Sequence, residues 1–257
     1  MKKLVKITIA LLAFMNASSA IYGQKRVYTV ANAHAHNDYA NSVPFYYAYE
    51  KGFASVEADV FVVDGKLMVA HNLKEIVAKR SLKIMYTDPL AVKLAKDLNR
   101  HIILLIDIKQ DYHNTIPLVI RELKPLMKYA SAKGMPGRLK VIMTGAVPPA
   151  AELNNYPKWL QFDVNHLAGF TPKQWERVGL LSFRFSNYTK WIGNGPMPPA
   201  DYKRVASLVD SVHAAKKPIR FWETTDNEIT WQTLERLDVD FIGTDEVKEF
   251  SEFLNKK

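Results

Sequence analysis

The chain has no cysteine among its 257 residues. Disulfide bonds, thiolate nucleophiles and cysteine metal sites are therefore excluded. Glycine is sparse, with 11 residues, and none stands in the turn that follows the first predicted strand. That turn lacks the glycines with which a doubly wound open sheet cradles a dinucleotide. The chain also lacks internal repeats, low-complexity tracts and a recognisable interdomain linker. Basic residues are scattered rather than clustered, and no nucleic-acid-binding motif is present, so no nucleic-acid partner is expected.

What is present fits one large domain. Hydrophobic residues make up 48% of the chain and charged residues 24%, enough apolar surface for a single α/β core. Lys2, Lys3 and Lys6 precede a mostly apolar run at 7–15, followed by small residues Ala17, Ser18, Ser19 and Ala20. This is a signal-peptide pattern, and its apolar run is too short to span a bilayer. Residues 1–23 are expected to be a signal peptide and 24–257 the functional domain, exported to the periplasm or secreted. The formal net charge is +9, and removal of the three leader lysines reduces it to +6. The charge reads as a solubility feature, or as suited to anionic lipid or phosphate-bearing substrates with peripheral membrane contact; no protein partner is implied.

Eight short apolar runs read as strands, at 28–35, 55–60, 102–108, 139–144, 160–164, 180–185, 219–223 and 241–244. They are rich in Val, Ile, Leu and Phe, as expected of strands buried on both faces. Helix patterns lie between them, at 42–50, 88–99, 112–132, 149–154, 172–178, 201–216 and 228–237; Leu90, Leu94 and Leu98 form one stripe in the second. Eightfold strand–helix alternation in this length predicts a single-domain (β/α)8 TIM barrel, with a doubly wound open sheet as the alternative. Two segments break the rhythm. Residues 61–80 extend the second strand into a hairpin with Asp64-Gly65 as its turn, and 187–199 carries Tyr188 and Trp191 after the sixth strand.

Barrel chemistry sits at the C-terminal ends of the strands, where this chain collects polar residues. His34 and His36 close the first strand, Glu57 and Asp59 lie late in the second, and His71 ends the hairpin. Asp107 and Lys109 close the third strand, Asp163 the fifth, Trp222 and Glu223 the seventh, and Asp245 the eighth. A Glu-x-Asp spacing on a strand aims both carboxylates to one side. Two carboxylates at one point repel unless a cation or proton lies between them, and an all-oxygen set suits Mg²⁺ or Ca²⁺. Asp107, within a run of aliphatic residues, likewise needs a partner or a metal. His166, just after the fifth strand, is a further candidate for substrate contact.

In this order the motifs resemble the glycerophosphodiester phosphodiesterase superfamily of phosphatidylinositol-phospholipase-C-like barrels, and their spacing is similar to its sphingomyelinase D branch. The segments His36-Asn37-Asp38-Tyr39, Val56-Glu57-Ala58-Asp59-Val60, the hairpin ending Val69-Ala70-His71, Asp107 with Lys109, Trp222, and Gly243-Thr244-Asp245 carry the resemblance. It covers about 30–247. The opening segment looks most like a subgroup that includes the fungal proteins named for altered inheritance of mitochondria. The family's usual His-Arg-Gly is His36-Asn37-Asp38 here, so an arginine expected to face the phosphate is missing. The third acidic ligand is Asp107 where glutamate is usual.

The resemblance implies a metal-dependent phosphodiesterase acting on a phosphodiester, either a glycerophosphodiester or a phospholipid head group. Glu57, Asp59 and Asp107 would hold one divalent ion, Lys109 would face the phosphate, and His36 and His71 would be the acid–base pair. Trp222, Tyr188 and Trp191 would wall the alcohol or lipid moiety. Two other readings stay open. One is an amidohydrolase- or histidinol-phosphatase-type metallohydrolase built on His34 and His36 with His166 and Asp245, although no histidine lies at the sixth strand. The other is a non-catalytic lipid- or glycan-binding barrel.

Overall fold

A computed structural model of the chain describes residues 26–132 and 135–256. The expected leader, 1–23, lies outside the described residues. Nine strands form one sheet: β1 Ala33–Ala35, β2 Ser55–Val63, β3 Lys66–Val69, β4 Ile102–Ile108, β5 Leu139–Gly145, β6 Leu160–Val164, β7 Val178–Arg184, β8 Ile219–Trp222 and β9 Phe241–Thr244. Their order is β1-β9-β8-β7-β6-β5-β4-β2-β3, and β1 also pairs with β2. That last parallel pairing, His34 to Ser55 and Ala35 to Val56, closes eight parallel strands into a barrel and excludes the open sheet. β3 lies outside the ring, antiparallel to β2. The two-residue turn between them puts Asp64 at φ 49° and Gly65 at φ 70°, the left-handed pair a tight hairpin needs.

The larger core lies between the barrel wall and the surrounding helices, and a smaller one plugs the barrel. Leu105, Ile142 and Leu180 form the plug, with Ile103 and Phe241 packed against it. The strand period of two places Asp107, Thr144, Ser182 and Gly243, each two residues further on, directly above this plug. An apolar floor thus supports a polar layer at the C-terminal mouth. Among the described residues no helix is long and apolar enough to cross a membrane.

Four local expectations are corrected. The first strand is shorter than 28–35, because Val30–Asn32 turns as a 3-10 helix. Thr29 and Asn32 bond each other's backbone there, and such local bonds compete with a ladder. The helix expected at 42–50 begins only at Tyr46, because Phe45 is held at φ 62° with its N–H donated to Asp38 Oδ2 at 2.6 Å. The stripe in the second predicted helix breaks at Lys96, where that helix ends, leaving Leu98 exposed while Leu90 and Leu94 are buried. The helix expected over 112–132 stops at Leu123, where Lys124–Leu126, with Pro125, turns as a 3-10 helix.

Candidate active site

The mouth of the barrel is a cavity of about 860 Å³ lined by His36, Glu57, His71, Asp107, Lys109, Asp163, Tyr188, Arg220 and Trp222, among others. Register explains the grouping. Asp59 is the cross-strand partner of Asp107, and Asp107 of Thr144, so neighbouring strands end on polar groups at one level. Glu57, Asp59 and Asp107 each offer a carboxylate oxygen, and the three oxygens lie within 4.8 Å of one another. Glu57 and Asp59 are buried, and the Asp107 side chain is 17% exposed.

Each carboxylate is held by its own partners. Glu57 Oε2 lies 2.7 Å from His34 Nε2 and 2.7 Å from Arg220 Nη1. Burial opposes its charge, but Arg220 and His34 outweigh burial and hold this carboxyl well below the usual range. Asp59 Oδ2 accepts from the Tyr39 hydroxyl at 2.7 Å, and Lys109 Nζ bridges it to Asp107 Oδ2 at 2.7 and 2.6 Å. The Asp107 carboxyl is pushed up, first by burial and then by the charges of Glu57 and Asp59, against the pull of Lys109. Lys109 itself rises: burial works against its charge, but Asp107 and Asp59 prevail. Mutual repulsion among three converging carboxylates is what a bound cation relieves, and the all-oxygen donor set fits a hard divalent ion.

The two histidines approach from different elements. His36, at the end of β1, puts Nδ1 2.8 Å from Asp245 Oδ1 beyond β9. Burial lowers its proton affinity, but the Asp245 hydrogen bond and the charge of Glu57 reverse this, and the net shift is upward. His71 is carried back by the hairpin, because Ala70 N–H donates to the Asp59 carbonyl at 3.3 Å. Its Nδ1 lies 3.4 Å from Asp59 Oδ2, and its ring is largely open to the cavity.

His36, His71, Glu57, Asp59, Asp107 and Lys109 are thus brought together. Trp222 and Tyr188 line the same cavity, with the Arg184 guanidinium over the Trp222 ring. Trp191 does not join them: its Nε1 donates to the Gly195 carbonyl at 3.1 Å and its ring packs edge-on against Phe185. His166 lines the cavity and stacks on Phe170. His34 is buried behind Glu57, with Ser55 Oγ 2.9 Å from Nδ1, and burial beside Arg220 pushes it down to about 4. Its Nε2 faces Glu57 Oε2 and Arg220 Nη1, so the ring is taken up by that buried pair rather than by a metal pair with His36.

Sequence reading missed Arg220, Tyr39 and the use of His34. Arg220 could have been found from its spacing, because it stands two residues before Trp222 and therefore faces the same side of β8. It also brings a guanidinium to a site whose first-strand motif carries Asn37 in place of the expected arginine.

The family model of the AIM6-like phosphodiesterase domain matches residues 24–158. The altered inheritance of mitochondria protein 6 homolog of Arthroderma benhamiae is 25% identical over 254 residues, covering 83% of this chain and 81% of that protein. The protein of that name from Kluyveromyces lactis is 44% identical over 64 residues, covering 24% of this chain and 15% of its own length. A glycerophosphodiester phosphodiesterase from Parabacteroides distasonis superposes with a TM-score of 0.53 at 19% identity, over 88% of this chain and 97% of that one. An Oleispira antarctica phosphodiesterase, solved with its product sn-glycerol-3-phosphate, superposes with a TM-score of 0.57 at 13% identity, over 87% and 96%. These two structures share the barrel fold.

Proposed function

Since the chain belongs to the AIM6-like phosphodiesterase domain family, and is a phosphoric diester hydrolase by that membership, we propose that it cleaves its diester by metal-assisted acid–base catalysis at the mouth of the barrel. The observation that carries this reading is the convergence of Glu57, Asp59 and Asp107 within 4.8 Å, in the cavity that His36 and His71 also line. Those three carboxylates would hold one Mg²⁺ or Ca²⁺, which when bound supplies Lewis-acid stabilisation of a non-bridging phosphate oxygen. Lys109 and Arg220 add fixed positive charge where the phosphate gains negative charge. His36 and His71 divide the proton transfers, one taking the proton of the attacking hydroxyl or water and the other protonating the leaving alkoxide. Tyr39 and His34 keep Asp59 and Glu57 in place. Trp222 and Tyr188 present aromatic surface to the alcohol moiety, which suits a glycerophosphodiester or a phospholipid head group. Export of the enzyme rests on the leader pattern of 1–23.

The test is hydrolysis of a chromogenic phosphodiester by the chain lacking 1–23, with Mg²⁺ or Ca²⁺ and then with chelator. Chelation, His36→Ala and Asp107→Ala should each reduce kcat/KM by roughly a hundredfold or more. Full activity in chelator, or in both variants, would sink the mechanism. The histidine-based metal centre has less support, because His34 is committed to Glu57 and Ser55.

A further inference from the structure

One carboxylate beside the mouth has no part in the proposed reaction, yet its hydrogen bonds lead to His36. Asp226 is half-buried in the loop 223–227, between β8 and the helix Glu228–Arg236. Its Oδ2 accepts from the Asp245 N–H at 2.8 Å, and its Oδ1 from the Trp231 indole N–H at 3.2 Å. The Thr244 hydroxyl is a third donor to it, and the oxygen of that hydroxyl accepts from the Glu246 N–H at 2.9 Å. One side chain thus gathers 244–246, the stretch on which β9 ends.

An acid just before a helix ordinarily serves that helix, but here the task is already filled. Asn227 caps it, with its Oδ1 accepting from the Thr230 N–H at 2.9 Å. Asp226 reaches instead across nineteen positions to the end of β9. Its own loop is anchored on both sides. Glu223 takes a left-handed φ of 63° and its two oxygens accept from Arg184 at 2.7 and 2.6 Å. Trp231 packs on Phe250 and Phe253 of the helix Val247–Asn255.

The residue at the other end of this brace has little else to fix it. The Asp245 side chain is 52% exposed and bonds only His36 and Asn37 among the described residues. So exposed a carboxylate gains little from one partner and gives up rotamer freedom to keep it. A main chain held from behind lowers that cost, because it starts the carboxylate from the right place. The other charged or titratable groups acting on His36 are Glu57, Arg220 and the buried His34. Those three bond one another, which leaves Asp245 as the group through which Asp226 works.

We propose that Asp226 is a positioning residue, which holds the main chain at Asp245 so that the Asp245 carboxylate meets His36 Nδ1. This role rests on the phosphodiesterase reading, which gives His36 its proton transfer.

The experiment follows the His36 ring by NMR titration in wild type, Asp226→Ala, Asp245→Asn and the double variant, with chelator throughout, beside kcat/KM against pH with metal. In Asp245→Asn the His36 midpoint should fall by about half a pH unit or more, because a neutral amide replaces the charge. Asp226→Ala should reproduce most of that fall, with kcat/KM down roughly tenfold and the same limb of its pH profile displaced. The double variant should titrate as Asp245→Asn does, since a displaced partner and a missing one leave His36 alike. A purely structural role would lower the melting temperature of Asp226→Ala and leave the His36 midpoint where it was. An unmoved midpoint in Asp226→Ala or in Asp245→Asn overturns the proposal, as does a double variant in which the two falls add in full. If Asp226→Ala does not fold, Asp226→Asn takes its place. Its one acceptor oxygen cannot serve all three donors, so a smaller fall is expected and an unmoved midpoint overturns the proposal. Should no diester turn over, the phosphodiesterase reading fails, while the NMR comparison still decides whether Asp226 sets Asp245 against His36.

Discussion

His36 and Asp245 belong to the ends of β1 and β9, strands that lie side by side in the barrel, and their 2.8 Å contact ties a catalytic candidate to a carboxylate far away in sequence. Burial alone would strip the proton from His36; Asp245 and Glu57 keep it on to a higher pH. Asp245→Asn removes one of those charges, so the proton affinity of His36 falls. Whichever limb of the kcat/KM profile His36 sets should then move to lower pH. Movement of the acid limb would make His36 the base, movement of the alkaline limb would make it the acid, and a fixed profile would remove it from proton transfer. Arg220 supports a different prediction. It and Glu57 are both about 4% exposed at the side chain, with nitrogen and oxygen 2.7 Å apart. Arg220→Met leaves a buried carboxylate unneutralised, a loss of about 3–5 kcal/mol that urea denaturation should register. A change under about 1 kcal/mol would mean that water reaches Glu57 and takes over the pairing.

The end of β5 shows how an element, rather than a side chain, shapes the centre. Gly145 follows Thr144 at φ 74°, and a Cβ there would stand 1.9 Å from Asp107 Oδ1 and 2.6 Å from the Ile108 carbonyl. Gly145→Ala is therefore strained by its backbone and also drives Asp107 from its place. Activity should fall by roughly tenfold or more, and half-saturation should require more added metal. Equal metal titrations for variant and wild type would show that the strand end yields without moving Asp107. This dependence was hidden in the sequence, where Gly145 looks like a strand terminator. The barrel strands were legible because runs such as 102–108 and 139–144 are aliphatic up to their polar ends. The hairpin was legible from Asp64-Gly65. The first strand and the segment before Tyr46 were not, because Thr29, Asn32 and Asp38 redirect the backbone through side-chain bonds. Asp38 does so over a distance no local pattern reveals, joining the Phe45 N–H to the Tyr86 hydroxyl. At the site, the acidic triad and both histidines were legible because each sits at a strand or hairpin end in the right parity. Trp191 misled because a tryptophan after the sixth strand has a backbone carbonyl to bond and a Phe185 ring to pack on.

Across the whole molecule, eight strand ends from distant parts of the chain meet in one ring, and only closure of β1 on β2 brings His34 to Glu57 and Arg220. Sequence order could supply the strand count and the polar ends but not this contact across the barrel, which depends on how the ring closes. Charge is also a property of the whole. Inside the cavity, Lys109, Arg184 and Arg220 face Glu57, Asp107, Asp163 and Glu223, so the lining has little net attraction for an anion at long range. Outside the leader the chain carries 32 Lys and Arg against 26 Asp and Glu. Any steering of an anionic diester must therefore come from the outer surface, where salt screens over about 10 Å at 0.1 M. Between about 20 and 500 mM salt, kcat/KM for a monoanionic diester should fall several-fold while kcat at saturation stays constant. Inhibition by an uncharged phosphotriester of the same shape should change little over that range. If kcat/KM is flat for the anion as well, the excess positive charge plays no part in capture and serves solubility alone.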